Sequence, residues 1–350
     1  MTLAIVGTGL VSPVGFTPQQ HVFFSAAGLP APSPSPFVDA QDKRVDVRYC
    51  RHIGAKVPLS ERLFLMAKRA VKDALDPLRQ LGFLTPREGE KPDVTDLTLS
   101  LAVCTRAPSD LFSARSADDL ARALASDCGA SLASKTHGEA GVFSTLRDAE
   151  SLAVKSASSI LCVVAVDSFV DLNVLAYHLT HPPSPWARDP LPFSEGAAAL
   201  ALMTPPGARR AGSQVIASIV KSAVSKSVSA DDNDEPPDGT ALGKVFRETA
   251  QGEAVGAVFG QSMVDDFRSQ EWNFASARNA EMFGPACTFS GAEDYVGRMG
   301  AAAGVANVVW GVSTLRHHLP VTPADTKAHF SWAISPDGLR GGAWVRLGAS

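Results

Sequence analysis

The chain has 350 residues, of which 45% are hydrophobic and 19% charged, with 28 Gly and 24 Pro. That composition excludes a disordered tail, a collagen-like fibre and a disulfide mini-scaffold, and the length suits about two domains of roughly 150 residues, or one large two-lobed domain. The 32 basic and 36 acidic residues leave a net charge of −4, too little to draw the chain to phosphate backbones or anionic membranes, so no nucleic acid and no membrane is expected as a partner.

From the N-terminus, Leu3 to Val6 is an apolar run ending in Gly7-Thr8-Gly9 and reads as a buried strand. No Lys or Arg precedes it, and Gly7, Gly9 and Pro13 break it, so it is not read as a signal peptide. No window holds about 18 uninterrupted apolar residues, which argues against a membrane span. The Pro-rich stretch Leu29 to Pro36 reads as an extended surface loop. Ser60 is the expected N-cap of a helix with Leu63, Met66, Ala67, Ala70, Val71 and Leu75 on one face. A strand at Leu97–Val103, a helix at Ala117–Ser126 and a helix at Gly141–Ser156 lead to Ile160–Val166, the strongest buried-strand signal in the chain.

Beyond it the sequence predicts a strand at Ala197–Met203, a turn at Pro205–Gly212 and an alternating strand at Val215–Val224. The acidic loop Ser229–Gly239 reads as a solvated face. A helix through Ala250, an Ala- and Gly-rich helix at Gly300–Leu315 and a strand at Trp344–Gly348 complete the chain. Helix and strand alternate, so the expected fold is a layered α/β architecture with a buried sheet, in two halves of similar size.

The five cysteines (Cys50, Cys104, Cys128, Cys162, Cys287) show no CxxC spacing. A sparse, odd set fits reduced thiols and a cytoplasmic location. His178 and His181 would share a helix face, but two ligands do not complete a structural zinc site, and a helix end before Pro182-Pro183 is the better reading. His317 and His318 are adjacent and cannot face one ligand from a helix. Gly7-Thr8-Gly9 lacks the third glycine of a dinucleotide fingerprint, and Pro13 falls where its helix would open. No metal and no cofactor is expected.

Several segments, in order, resemble the condensing enzymes of the thiolase superfamily, the 3-oxoacyl (β-ketoacyl) carrier-protein synthases. Ile5-Val-Gly-Thr-Gly-Leu-Val-Ser-Pro-Val-Gly15 is similar to their first strand and turn, and Val163-Val-Ala-Val-Asp-Ser168 to the strand before a Gly-rich turn. Arg188-Asp-Pro-Leu-Pro-Phe-Ser-Glu-Gly-Ala-Ala-Ala-Leu-Ala-Leu202 resembles the RDGF…GEGA…LVL segment. Met299-Gly-Ala-Ala-Ala-Gly-Val-Ala-Asn307 resembles the GAAG helix, and Ser335-Pro-Asp-Gly-Leu-Arg-Gly-Gly-Ala-Trp344 the late GFGG loop. The resemblance implies a thiolase-like α-β-α-β-α fold of five layers, two pseudo-symmetric halves at 1–204 and 205–350, and a dimer that uses a strand at the sheet edge.

Condensation in that family needs a thiolate at a helix N-terminus and two imidazoles to stabilise the enolate and oxyanion. The place of the family cysteine falls at Glu139-Ala-Gly-Val-Phe143, which contains none. Cys128 comes too early, and Cys162 lies inside an apolar strand. The first histidine's segment is matched to Asn273-Phe-Ala-Ser-Ala-Arg278, with Ser276 at its place; the second histidine's place is Gly297, the lysine's is Ala292 or its neighbours, and the phenylalanine gate is missing around Leu339. The remnant pocket is therefore expected among Glu139, Gly141, Ser144, Ser276 and Gly297, with an acidic or small, non-basic lining. Ser144 lacks a base, and His137 reads as an exposed loop residue.

These losses point to a condensing-enzyme homologue, a pseudoenzyme with no catalytic residues of its own, acting as an adaptor or partner subunit. It would form a homodimer, or a heterodimer with a thiolase-fold relative as chain-length factors do in fatty acid or polyketide synthesis. A carrier protein, or an effector protein of a bacterial type VI secretion system, is the further partner the resemblance allows. The alternatives are a 3-oxoacyl synthase or malonyl decarboxylase with an unusual nucleophile such as Ser144 or Glu139, and a non-covalent acyl-chain binder.

Overall fold

The computed structural model describes residues 2–28, 35–39, 42–81, 98–152, 159–180, 191–227, 237–264, 266–319, 322–323 and 325–348. Most of the Leu29–Pro36 loop, the acidic loop up to residue 236, and Arg188 and Asp189 of the RDGF-like segment lie outside the described residues, as does His181.

The first half contains β1 (Leu3–Val11), α1 (Pro18–Ala26), α2 (Leu59–Gln80), β2 (Thr98–Thr105), α3 (Ala114–Cys128), β3 (Ser131–His137), α4 (Gly141–Leu152), β4 (Ser159–Ser168), α5 (Leu172–Thr180) and β5 (Glu195–Met203). The second contains α6 (Pro205–Arg210), β6 (Ala217–Lys226), α7 (Thr240–Thr249), β7 (Val255–Phe259), α8 (Asp266–Ala277), β8 (Phe283–Ser290), α9 (Ala292–Val296), α10 (Ala303–Arg316), β9 (Ala328–Ile334) and β10 (Leu339–Leu347). The strands form one ladder in the order β3-β2-β4-β5-β1-β6-β10-β9-β7-β8. Within it the order repeats, mirrored about the β1–β6 seam. In each half three parallel strands (β3, β2, β4; β8, β7, β9) lead to two antiparallel ones. The seam is short, pairing only Leu3 with Ile219, Ala4 with Ser218 and Ile5 with Ala217.

Five layers result. α2 and α3 cover the outer face of the first half-sheet, and their buried side chains join Val6, Leu101, Val103, Cys162 and Val164 in one core. α7 and α8 cover the outer face of the second. Between the half-sheets lie α4 and α10, in a core that includes Val142, Phe143, Leu161, Val163, Val305 and Val309. α10 is buried along nearly its whole length, so it is apolar all round rather than striped. The predicted face of α2 is buried as expected. β1 does not stop at Val6 but runs on through Gly7 and Gly9, because α2 crosses it so closely that a Cβ at either glycine would overlap the carbonyl oxygen of Ala74 or Ala70.

Three local expectations are corrected and one segment is assigned its element. Pro58, not Ser60, precedes the first turn of α2, as proline tolerates a helix start. Pro205–Arg210 is a short helix, because the Thr204 hydroxyl accepts a hydrogen bond from the Gly207 N–H and caps it. The segment Asn273–Arg278 is helical through Ala277, as the last turn of α8. Gly341 and Gly342 of the GFGG-like segment lie inside β10, paired with Val224 and Ala223, so only residues 335–338 turn. Among the described residues no helix is long and apolar enough to cross a membrane.

Candidate functional site

The centre of the molecule is reached from the end of β3. After His137 the backbone reverses at Gly138, whose N–H bonds to the Thr105 carbonyl at 2.9 Å, and α4 opens at Gly141. Glu139 and Ala140 form the corner. The Ala140 N–H donates to the Ser335 hydroxyl at 2.7 Å, which ties the corner to the β9–β10 turn. The Glu139 carbonyl lies directly against Gly304, at the start of α10. Glu139 is half-buried, and the first cause of its raised pKa, about 7, is loss of water; Glu293 and Asp167 push the same way, while Arg268 opposes them.

Those three neighbours arrive from distant segments. Glu293 of α9 is wholly buried; its carboxylate accepts from Arg268 of α8 at 3.2 Å and from the Met299 N–H at 3.1 Å. Asp167, at the end of β4, accepts from the Arg106 Nε at 2.7 Å and from the Ala301 N–H at 3.0 Å. Both carboxylates therefore anchor the turn that feeds α10, each paired with an arginine, as buried charges require. Gln261, on the loop after β7, is also buried and accepts from the Ile334 N–H at 2.8 Å.

Of the residues singled out from the sequence, Glu139 and Gly141 form the corner and first helical residue of α4, and Ser144 lies half-buried one turn on. Gly297 closes α9 with φ 95°, and the Pro192 carbonyl oxygen and the Ser194 side chain occupy the space a Cβ would enter. No side chain fits there without moving backbone. Ser276 is not with them: on α8, its hydroxyl bonded to the Asn273 carbonyl at 3.3 Å, it lines a groove of about 530 Å³ with Trp272, Phe283, Cys287 and Phe289 beside the edge strand β8. The expected lining also changes, since Arg268 brings a cation that the sequence reading excluded.

Among the described residues the thiols and imidazoles do not converge on the corner. Cys104 comes nearest: its Sγ donates to the Gly138 carbonyl at 3.2 Å, and burial pushes its pKa up to about 12. His137 is paired in the ladder with Thr105, one residue on, so it faces the opposite side of the sheet from Cys104, with its Nδ1 3.4 Å from the Thr105 hydroxyl. Burial lowers His21 to about 4 and His329 to about 3; His21 is bonded to the Ser12 hydroxyl at 2.7 Å and the Thr17 carbonyl at 2.6 Å, and the His329 ring packs against Phe259. The His178 ring packs on Phe169 at 5.0 Å and on Phe193 at 5.9 Å. Among the described residues no group of three or more His, Cys, Asp or Glu could hold a metal ion.

No protein-family model and no curated sequence matches the chain. Solved structures do. The ketosynthase from module 6 of the bacillaene synthase of Bacillus subtilis 168 superposes with a TM-score of 0.76 at 12% identity, over 100% of this chain and 72% of that one. The AntDE:AntF complex, a type II polyketide-synthase acyl-carrier protein with its ketosynthase bound to the hexaketide, gives 0.77 at 14% identity over 99% of each chain. The ishigamide ketosynthase/chain length factor gives 0.74 at 13%, again over 99% of each. The chain has the ketosynthase fold. The resemblance in motif order and the five-layer architecture agree with that likeness along the whole length. At such identity the likeness carries the fold of a ketosynthase and leaves its chemistry to be argued from the residues at the corner.

Proposed function

We propose that this ketosynthase-fold protein does not perform cysteine-dependent condensation and acts as a partner or adaptor subunit, its halves dividing near residues 204 and 205. One observation carries the reading: Glu139–Phe143, matched to the family cysteine's place, holds no cysteine, Ser276 and Gly297, matched to its two histidines, offer no imidazole, and the Glu139 corner faces a buried Glu293–Arg268 ion pair. A carboxylate already held by arginine and backbone N–H groups is committed to structure, and a thiol with a pKa near 12 is not a nucleophile at neutral pH. Association is supported by β3, which among the described residues pairs only with β2 and stands at the sheet edge, with Leu132 exposed. The named neighbours, a ketosynthase/chain length factor and a ketosynthase with its acyl-carrier protein, suggest a thiolase-fold relative or a carrier protein as the partner.

The test combines two measurements on the full chain. Intact-mass spectrometry after incubation with acyl and malonyl thioesters is expected to give no covalent adduct, and light scattering is expected to give a dimer mass. A stable acyl-enzyme lost in Ser144→Ala or Glu139→Gln would replace this reading with the acyl-transfer one. A strict monomer that retains neither a ketosynthase nor a carrier protein would remove the adaptor role.

A further inference from the structure

The far end of α10 borders a cavity of about 720 Å³, a size ordinary for a small-molecule site. It lies about 18 Å along the helix from the Glu139 corner, at 1.5 Å per residue from Gly304 to Arg316. Its floor is the junction of two strands, with Ile216 and Leu347 supplying apolar surface; the Gly348 N–H bonds to the Ile216 carbonyl at 3.0 Å and fixes that floor. Its walls carry three permanent cations from three separate segments: Arg316 from the last turn of α10, Lys327 from the approach to β9, and Arg346 from β10.

The charges do not cancel internally. Asp325 is the one carboxylate of the lining, and Glu253 pairs with Arg346 from outside it. Arg316 and Lys327 are exposed and make no ion pair among the described residues. Arg316 also offsets the partial negative charge at the end of α10. The turn after the helix has an added feature. His318 N–H bonds to the Leu315 carbonyl, and Leu319 N–H to that of Thr314, a closing pattern whose left-handed position usually holds glycine. His318 takes that position with φ 49° and places an imidazole, with two further polar nitrogens, in the cavity lining.

We infer that this cavity binds a phosphate ester of nucleotide size or smaller, its phosphate held between Arg316 and Lys327 and its organic part on the Ile216–Leu347 floor. Guanidinium and ammonium groups converging from different elements match a dianion that accepts several charge-assisted hydrogen bonds, and the apolar floor matches a ring or short chain. The site is independent of the corner at Glu139, and its success or failure leaves the adaptor reading unaffected.

Titration calorimetry and thermal unfolding with pyrophosphate, with ADP and with phosphatidic acid vesicles test it. Saturable binding by wild type is expected, weakened at least tenfold in Arg316→Glu/Lys327→Glu and retained in Arg115→Glu/Arg122→Glu, which makes the same charge change on exposed residues of α3. Binding to vesicles alone, with the same dependence on Arg316 and Lys327, assigns the phosphate to a lipid headgroup; binding to ADP or pyrophosphate assigns it to a soluble ester. No binding of any probe at millimolar concentration, or equal binding by the two double variants, overturns the site.

Discussion

At the first turn of α10, Glu293 and Asp167 are buried, and each carboxylate is matched by an arginine and a backbone N–H. At its other end, Arg316 of the last turn and Lys327 of the approach to β9 are exposed and make no ion pair among the described residues. The same helix thus joins a closed electrostatic region to an open one. A charge out of water is stable only with its partner, so the inner groups are occupied in holding the fold, whereas an exposed cation keeps its hydration and remains available. An arginine or glutamate near the centre of such a fold therefore says little about activity until its partners are known.

The inner end should be the more fragile. Glu293→Ala removes the buried carboxylate that accepts from Arg268 and from the Met299 N–H and is expected to cost about 3–5 kcal/mol in urea unfolding. An apolar pair, Arg268→Met with Glu293→Leu, is expected to recover much of that loss. If the single change costs less than about 1 kcal/mol, the centre is wetter than its burial implies and the contrast between the two ends of α10 fails.

Gly297→His puts an imidazole at the position proposed to match the second histidine of the condensing enzymes and is expected to cost about 3 kcal/mol, because φ 95° disfavours any side chain and the Pro192 carbonyl occupies the Cβ space. A folded, fully stable variant would mean that the α9–α10 turn can open. Its urea midpoint and chromatographic profile would show this directly.

The corner at Glu139 gives a pH test of about 2–3 kcal/mol. Burial raises this carboxyl to about 7 in the folded chain from an ordinary 4.5. Below about pH 4 both states hold the proton and nothing is lost. As the pH rises from 4.5 to 7 the unfolded chain releases it first, so stability falls across that window. Glu139→Gln removes the titration, and its unfolding free energy is expected to exceed that of wild type above pH 7 but not at pH 4. Parallel profiles for the two proteins would place Glu139 in water.

The smallest effect belongs to the outer end of α10. Arg316→Glu/Lys327→Glu is expected to stay within about 0.5 kcal/mol of wild type in the same assay, since neither side chain is paired or buried. A larger loss would show that these cations support the fold rather than stand free for a ligand.

Local sequence was enough for the elements whose burial repeats at a regular spacing. The α2 face from Leu63 to Leu75 and the continuous runs of β4 and β5 each carry their environment in their own residues. β3 and β8 carry no such signal. Ser131–His137 is a half-exposed edge, and Phe283–Ser290 contains Gly284 and Pro285 and is likewise part-exposed, so neither shows a clean apolar face. Without β7 and β8, the segment Asn273–Arg278 could not be assigned to an element from the sequence; the structure places Ser276 on α8.

By itself the sequence determined the layered α/β class, the order of the family-like segments, and the lack of cysteine at 139–143 and of histidine at 297, because these depend on residue type and on short-range periodicity. Only the tertiary structure decided that Arg268, Glu293 and Asp167 surround Glu139, that Cys104 lies beneath the same corner, and that Arg316, Lys327 and Arg346 share one cavity. Those groups are separated by tens to hundreds of residues. What brings them together is the packing of two half-sheets on α4 and α10, a long-range outcome of burying apolar surface that no local window encodes.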